Sequence, residues 1–547
     1  MFTDLKSKLQ ELIKGELLDD EATLNSYSKD ASLFEIKPQV VIAPKNSEDV
    51  KNIVKFVSQH YEEGLSITPR SAGTDMSGGA INESILLDMT KHFNKIIEVG
   101  EKSAKTETGV FYRDFEKETL KKDLLLPCYP ASRELCSVGG MVANNSAGEK
   151  TLLYGQTERF IKSLKVILSD GNEYEIKPIN KKELDKKISQ KDFEGEFYRK
   201  VFKLISENQE LIKNSRPKVS KNSTGYLIWD VWNGGTFDMT KVFVGSQGTL
   251  GIVTEVEFEL IHPKKHSKML VVFLKDLTNL GKIVNKVLEL KPESFESYDD
   301  YTIKFAMRFL PEVLKVFKPH NLLSLGFQFL PEVWMSLTGG FPKLILLAEF
   351  TGDLEEEVTQ KCIQAQESIK EFNVPMRITK NADESKKYWT VRRESFNLLR
   401  HHTPHKRTAP FIDDIVVSPD VLPEFLPKLS AILDQYNLIY TVAGHIGNGN
   451  FHIIPLMDLS KPESKQIISE LGKKVYDLVF EYKGSMSAEH NDGLIRGPYL
   501  KLMYGERIFE IFKQVKNIFD PQNIFNPNKK VNASFEYSMN HLAKDSS

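Results

Sequence analysis

Three stretches of this chain hold more glycine and small hydroxyl residues than turns require, and they limit the fold before anything else does. The first follows the strand-like run Leu65–Thr68 and reads Pro69-Arg70-Ser71-Ala72-Gly73-Thr74-Asp75-Met76-Ser77-Gly78-Gly79-Ala80. The second begins at Pro130-Ala131-Ser132, continues through Ser137-Val138-Gly139-Gly140-Met141-Val142-Ala143-Asn144-Asn145-Ser146-Ala147-Gly148, and closes on Tyr154-Gly155. The third runs from Gly245 to Thr254 and contains Gly248, Gly251, Ile252 and Val253. Glycine among small hydroxyl residues lets successive backbone N–H groups converge on an anion. A long run of small residues also lets a second backbone, or an extended ligand, lie close. The first stretch lacks the lysine of a phosphate-binding P-loop and does not follow G-x-G-x-x-G. Taken singly, it is equally well explained as a structural turn.

At 547 residues the chain needs more than one core. Residues 1–35 read as a helical leader, with one polar amphipathic helix over the first 24. Residues 36–262 alternate β-rich and helical runs: strands at Val40–Ile42, Leu65–Ile67, Ile85–Leu87, Val166–Leu168 and Val242–Val244, and a helix from Asp49 to Gln59. The Lys-rich stretch 176–222 reads as surface helices and loops. Residues 263–494 place strands at Met269–Phe273, Leu344–Phe350 and Tyr440–Ala443 between long helical segments, the pattern of one sheet covered by helices. Residues 495–547 return to helix (Tyr504–Phe519) before the segment DPQNIFNPNKK.

The second half carries a different signal. Gly444-His445-Ile446-Gly447-Asn448-Gly449-Asn450-Phe451-His452 brackets a Gly/Asn loop with two histidines, and Ser487-Ala488-Glu489-His490 follows about forty residues later. Two imidazoles and a carboxylate, with positions left open, make a catalytic divalent-metal set. From spacing alone, hydrogen-bonded structural histidines explain the pattern as well.

In this order and spacing, the glycine segments resemble the FAD-binding domain of the vanillyl-alcohol oxidase/PCMH flavoproteins. Together with the histidine motifs, they make residues 35–530 similar to the D-lactate, D-2-hydroxyglutarate and glycolate dehydrogenase group of that superfamily. The resemblance implies an α+β fold: a PCMH-type FAD-binding domain of two α/β subdomains, plus a cap domain with an antiparallel sheet covered by helices. It implies that Arg70, Ser71, Ala72, Gly73, Thr74, Asp75, Ser77 and Gly78 hold the FAD pyrophosphate. Pro130, Ser132, Ser137, Val138, Gly139, Gly140, Ala143, Asn144, Asn145, Gly148, Tyr154 and Gly155 would line the cofactor. Gly248, Gly251, Ile252 and Val253 would meet its adenine end, with Asn526 or Tyr154 shaping the pocket by the flavin. No histidine lies in 65–80, so the FAD is expected to be noncovalent; Cys128 and Cys136 are expected to be buried, inert thiols.

The resemblance further implies a metal on His445, His452 and Glu489, zinc being the expected ion, with His490 as the base. Trp389-Thr390-Val391-Arg392 resembles a segment whose arginine clamps a substrate carboxylate. Arg392 is the first choice and Arg393 the alternative; a surface ion pair with Glu394 is the plain reading. The chain departs from the group's pattern at Ser71-Ala72, Gln247, Asn448 and Asn491-Asp492, and Asp492 is expected to add a carboxylate near the site that bears on substrate choice. Phe411-Ile412 stands where some relatives have a lysine, so a second cationic anchor is not expected there.

The implied activity is oxidation of a 2-hydroxy acid to the 2-oxo acid, with electrons leaving to a separate acceptor: a quinone, a cytochrome or an electron-transfer protein. Three cysteines (with Cys362) are too few for a four-thiolate iron–sulfur cluster and suit a reducing compartment. A formal net charge of −2 argues against a nucleic-acid partner, and the basic run His401–Arg407 reads as a solvated loop. The expected location is cytoplasmic, with peripheral membrane contact and a homodimer left open. Two rivals stand beside this reading: a transferase of the same fold like alkylglycerone-phosphate synthase, and a metal-dependent protein without redox chemistry.

Overall fold

The computed structural model describes residues 2–300, 342–401 and 407–544. Its first sheet is small. Strands β1 (Glu16–Leu18), β2 (Val40–Ala43), β3 (Ile67–Arg70) and β4 (Ile85–Asp88) lie in the order β1-β2-β4-β3. β2, β4 and β3 are parallel, in keeping with the unbroken burial of β2 and β4, and β1 adds an antiparallel edge. Helix α1 (Ser47–Gln59) links β2 to β3; Asn46 caps it, and Val50, Ile53, Val54 and Val57 form its buried stripe.

The expected single N-terminal helix is corrected. It ends at Leu12, and Gly15 brings the chain against β2 so closely that a Cβ there would lie 2.1 Å from the Ala43 carbonyl oxygen. Asp49 accepts the N–H groups of Lys14 and Gly15, which fixes the turn.

The second sheet is antiparallel. Strands β5 (Ile96–Val99), β6 (Ser103–Glu107), β7 (Ile161–Ile167), β8 (Glu173–Ile176) and β9 (Ile252–Glu259) run in the order β5-β6-β9-β7-β8. Helices α2 (Val138–Asn144) and α3 (Phe193–Glu207) share its core. The strand expected at Val242–Val244 is instead a helical turn, Thr240–Phe243. Asp238 starts it by accepting from the Thr240 N–H and hydroxyl, and Gly245, at φ 75°, follows. A short buried apolar run has no periodicity to tell the two apart.

The polar stretch 176–222 also needs correction. Lys221 is fully buried there, and within the stretch α3 carries Phe197, Tyr198 and Val201 into the core.

The third sheet has eight strands: β10 (His266–Leu274), β11 (Ser294–Asp299), β12 (Leu344–Gly352), β13 (Met376–Ile378), β14 (Arg407–Thr408), β15 (Ile415–Val416), β16 (Ile439–His445) and β17 (Asn450–Met457). They pair antiparallel in the order β13-β10-β12-β11-β16-β17-β14, with β15 also on β17. Helices α4 (Leu280–Leu288), α5 (Glu355–Ser368), α7 (Leu422–Leu433) and α8 (Pro462–Glu481) cover one face; α6 (Ala382–His401) brings Tyr388, Trp389 and Val391 to the other. Helix α9 (Leu500–Phe519) then returns to the second sheet, where Phe512, Val515 and Phe519 join its core. No helix among the described residues is long and apolar enough to cross a membrane.

Candidate active site

The three glycine segments meet. A Cβ on Gly140 would lie 3.5 Å from that of Ser71, and the Asn144 amide donates to Asp75 Oδ1 (3.0 Å). Gln247 ties all three together: its Nε2 donates to Ser77 Oγ (3.0 Å), it lies 3.4 Å from Asn144 Oδ1, and its Oε1 accepts the Gly493 N–H (2.9 Å). Between β3 and the turn at Ser77, the backbone N–H groups of Ser71 to Asp75 find no acceptor among the described residues, with Gly73 left-handed at φ 68°. Donors like these, half-buried where the segments meet, suit a diphosphate. Gly139 and Gly148 serve close approach, since a Cβ would lie 2.6 Å from Thr108 O and 2.1 Å from Tyr129 O respectively. Ser137 caps α2, while Asn145 closes it at φ 53°.

Three expected groove residues are engaged elsewhere. Arg70 donates to the carbonyls of Tyr27 and Lys29. The Tyr154 hydroxyl reaches Glu293 across the domain seam (3.2 Å). Asn526 is saturated, donating to Gly79 O and Gln247 O and accepting from Thr68 and Asn82. Pro130 and Ser132 begin the loop that leads to Ser137, and Gly155 closes the second segment at φ 87°. In the third, Gly248 packs on Pro69, and a Cβ on Gly251 would lie 2.8 Å from Ile167 O, just ahead of Ile252 and Val253 in β9. Cys128 and Cys136 are buried, and burial pushes both thiols up to about 12, leaving them poor nucleophiles.

The histidine cluster sits where β16 turns into β17. Gly449, left-handed at φ 69°, makes that turn so tight that a Cβ would lie 1.9 Å from Val417 O. Three ring Nε2 atoms face one oxygen, Glu489 Oε1: His445 at 3.3 Å, His452 at 3.2 Å and His490 at 3.7 Å. Each ring is held from behind through Nδ1, His445 donating to Glu296 (2.6 Å), and His452 and His490 to the two oxygens of Asp413 (3.0 and 2.6 Å). That contact assigns the Nδ1 proton and turns the Nε2 lone pair inward, as in the carboxylate–histidine support of metal ligands. Three lone pairs aimed at one carboxylate oxygen need a proton or a cation between them, so the donor set fits a divalent ion.

Asp414 lies within 4.8 Å of His452, Glu489 and His490, but its oxygens already accept from Ser487 Oγ, from the Glu489 and His490 N–H groups and from Asn450. It shapes the loop.

Two family models match: "FAD binding domain" over residues 38–177 and "FAD linked oxidases, C-terminal domain" over residues 263–530. The chain carries an FAD binding domain and the C-terminal domain of the FAD-linked oxidases. It is 25% identical to a D-2-hydroxyglutarate dehydrogenase of Pseudomonas putida over 94% of its own length, but spans only 50% of that relative. It is 24% identical to the glycolate oxidase subunit GlcD of Bacillus subtilis over 96% of both chains. In fold it is similar to p-cresol methylhydroxylase, with a TM-score of 0.68 at 17% identity over 97% of this chain and 96% of that one.

Three buried charged residues at the cluster carry no signal in the sequence. Asp413 and Glu296 are the carboxylates behind the imidazoles. Glu296 also pairs with Arg392 of α6, which links the expected carboxylate clamp to a ring of the cluster. Lys221, 0% exposed, reaches Glu489 Oε2 from the FAD-binding half (3.3 Å).

Burial opposes ionisation of Glu489 and Glu296, but Lys221 beside Glu489, Arg392 beside Glu296 and the His445 ring against both outweigh it and hold both below the usual carboxylate range. Burial likewise disfavours a charged His452, yet Asp413 and Glu489 carry it up to about 10. Asp492 has a structural task. Its Oδ2 is fully buried against Lys530 (2.7 Å) and accepts the Gly225 N–H (2.8 Å), so the carboxylate braces the backbone there. The side chain of Arg393 and most of the run 401–407 lie outside the described residues.

Proposed function

We propose that this chain oxidises a 2-hydroxy acid to the 2-oxo acid, with FAD in the groove of the three glycine segments and a divalent cation, zinc the expected ion, on His445, His452 and Glu489. One observation carries the reading: ring Nε2 atoms converge on a single carboxylate oxygen, next to a segment stitched to the glycine loops. The stitch is Asn491, whose amide donates to Asn144 O (3.1 Å) and Gly245 O (2.9 Å). When bound, FAD supplies a two-electron acceptor and the cation supplies Lewis acidity.

The chain's own residues orient the substrate and move its proton. His490, with Nδ1 fixed on Asp413, presents Nε2 as the atom that takes the hydroxyl proton. Arg392 is the proposed partner of the substrate carboxylate, poised by Glu296. The relatives' names, D-2-hydroxyglutarate dehydrogenase and glycolate oxidase subunit, support a 2-hydroxy acid as substrate, with D-lactate-like, glycolate-like and D-2-hydroxyglutarate-like acids the classes to test. A separate electron acceptor completes the cycle.

The test is anaerobic bleaching of the flavin absorbance over a panel of hydroxy-acid enantiomers, with and without chelator. One acid should bleach the wild type, and His490→Ala should slow that bleaching by about a hundredfold or more with flavin still bound. Undiminished bleaching in His490→Ala removes the base, and bleaching indifferent to metal removal refutes the cation.

A further inference from the structure

The floor of the histidine cluster comes from the other half of the molecule. Residues 220–225, Ser-Lys-Asn-Ser-Thr-Gly, run along the loop that bears Glu489. Ser220 Oγ accepts from Asn448 (2.8 Å), the Ser223 N–H donates to Ser487 O (3.1 Å), and the Ser223 hydroxyl donates to Ala488 O (2.8 Å). In the middle of this seam, the Lys221 ammonium binds Glu489 Oε2, while Oε1 of the same carboxylate faces the imidazoles. The two oxygens of Glu489 are therefore committed to different partners.

Stability alone does not account for such a lysine, because a buried ion pair gains little over well-packed hydrocarbon. A carboxylate beside a divalent cation can bind through one oxygen or through both, and the second oxygen would fill a position that a substrate needs.

We propose that Lys221 is a positioning residue that holds Glu489 Oε2 away from the bound cation, so that Glu489 acts as a one-oxygen ligand and a coordination position stays open. The inference rests on the metal reading above. It carries a cost with a definite sign: a fixed ammonium next to the cation repels it, so the chain binds metal less tightly than its donor set allows.

Two neutral variants test this, Lys221→Met and Lys221→Gln, so that the outcome does not hang on one of them folding; retained FAD identifies folded protein. Co²⁺ is the probe. In the wild type its visible bands shift when a hydroxy acid is added. In the neutral variants, Co²⁺ is expected to bind about tenfold tighter or more, and the hydroxy acid no longer shifts its bands. Lys221→Arg, which keeps the charge, keeps the weaker binding and the shift. A retained shift in the neutral variants, or weaker Co²⁺ binding, overturns the role of Lys221 and leaves the metal reading standing. A wild type that binds no divalent cation overturns both.

Discussion

At single residues, the groove and the cluster show how burial and a neighbour's charge decide protonation. Asp30 lies beside the first glycine segment. Its Oδ1 accepts the Ser32 N–H, while its Oδ2 is shut off from water with no hydrogen-bond partner. Burial, then the Asp75 carboxylate, push it up to about 7, against the opposing pull of Arg70; Lys529 also lies within electrostatic reach. A carboxyl raised on folding contributes stability that is complete below its unfolded value near ~4 and is lost as pH climbs through about 7. Asp30→Asn should therefore stabilise the protein at pH 8 by roughly 1–3 kcal/mol, a gain that shrinks to nothing near pH 4. Thermal unfolding across that range is the measurement, and a gain independent of pH refutes the account. Gln247 shows the complementary economy, since one neutral amide both donates to Ser77 and accepts from Gly493, which no carboxylate could do.

Among the elements, the loop from Glu489 to Gly493 is held by a fully buried ion pair, Asp492 with Lys530. The Lys530 ammonium also donates to Gly225 O and Asn491 Oδ1, so its donors are used up inside the protein. Removing one partner strands the other charge. Asp492→Ala is expected to cost about 3–5 kcal/mol in thermal or denaturant unfolding without changing which hydroxy acid is preferred. A shift in preference at unaltered stability would return Asp492 to the substrate pocket.

Across the whole molecule, the C-terminal segment closes the fold. Asn526 joins β3 through Thr68, the first glycine segment through Gly79 O and the third through Gln247 O, and Lys516 adds bonds to Thr249 O and Asp520. Asn526→Ala leaves several buried groups without partners at about 1–3 kcal/mol each. The expected result is a lower flavin content on purification together with a lower unfolding temperature; full flavin content would show that the groove holds without its staple.

The amino-acid sequence determined the parts of this protein whose demands are local. A backbone that must turn left-handed or lie against another needs glycine, and Gly73, Gly148, Gly245 and Gly449 were legible for that reason. The strand and helix periods of most of both halves were equally plain, whereas His445, His452, Glu489 and His490 stood out only through the motifs they share with a family. Tertiary structure alone decided which charges meet. Lys221 lies 268 residues from Glu489 in the chain and Glu296 lies 149 from His445, so Lys221 reads as part of a surface stretch and Glu296 carries no local signal at all. A long charged side chain is buried only when a distant partner repays its dehydration, and no local pattern records where that partner will be.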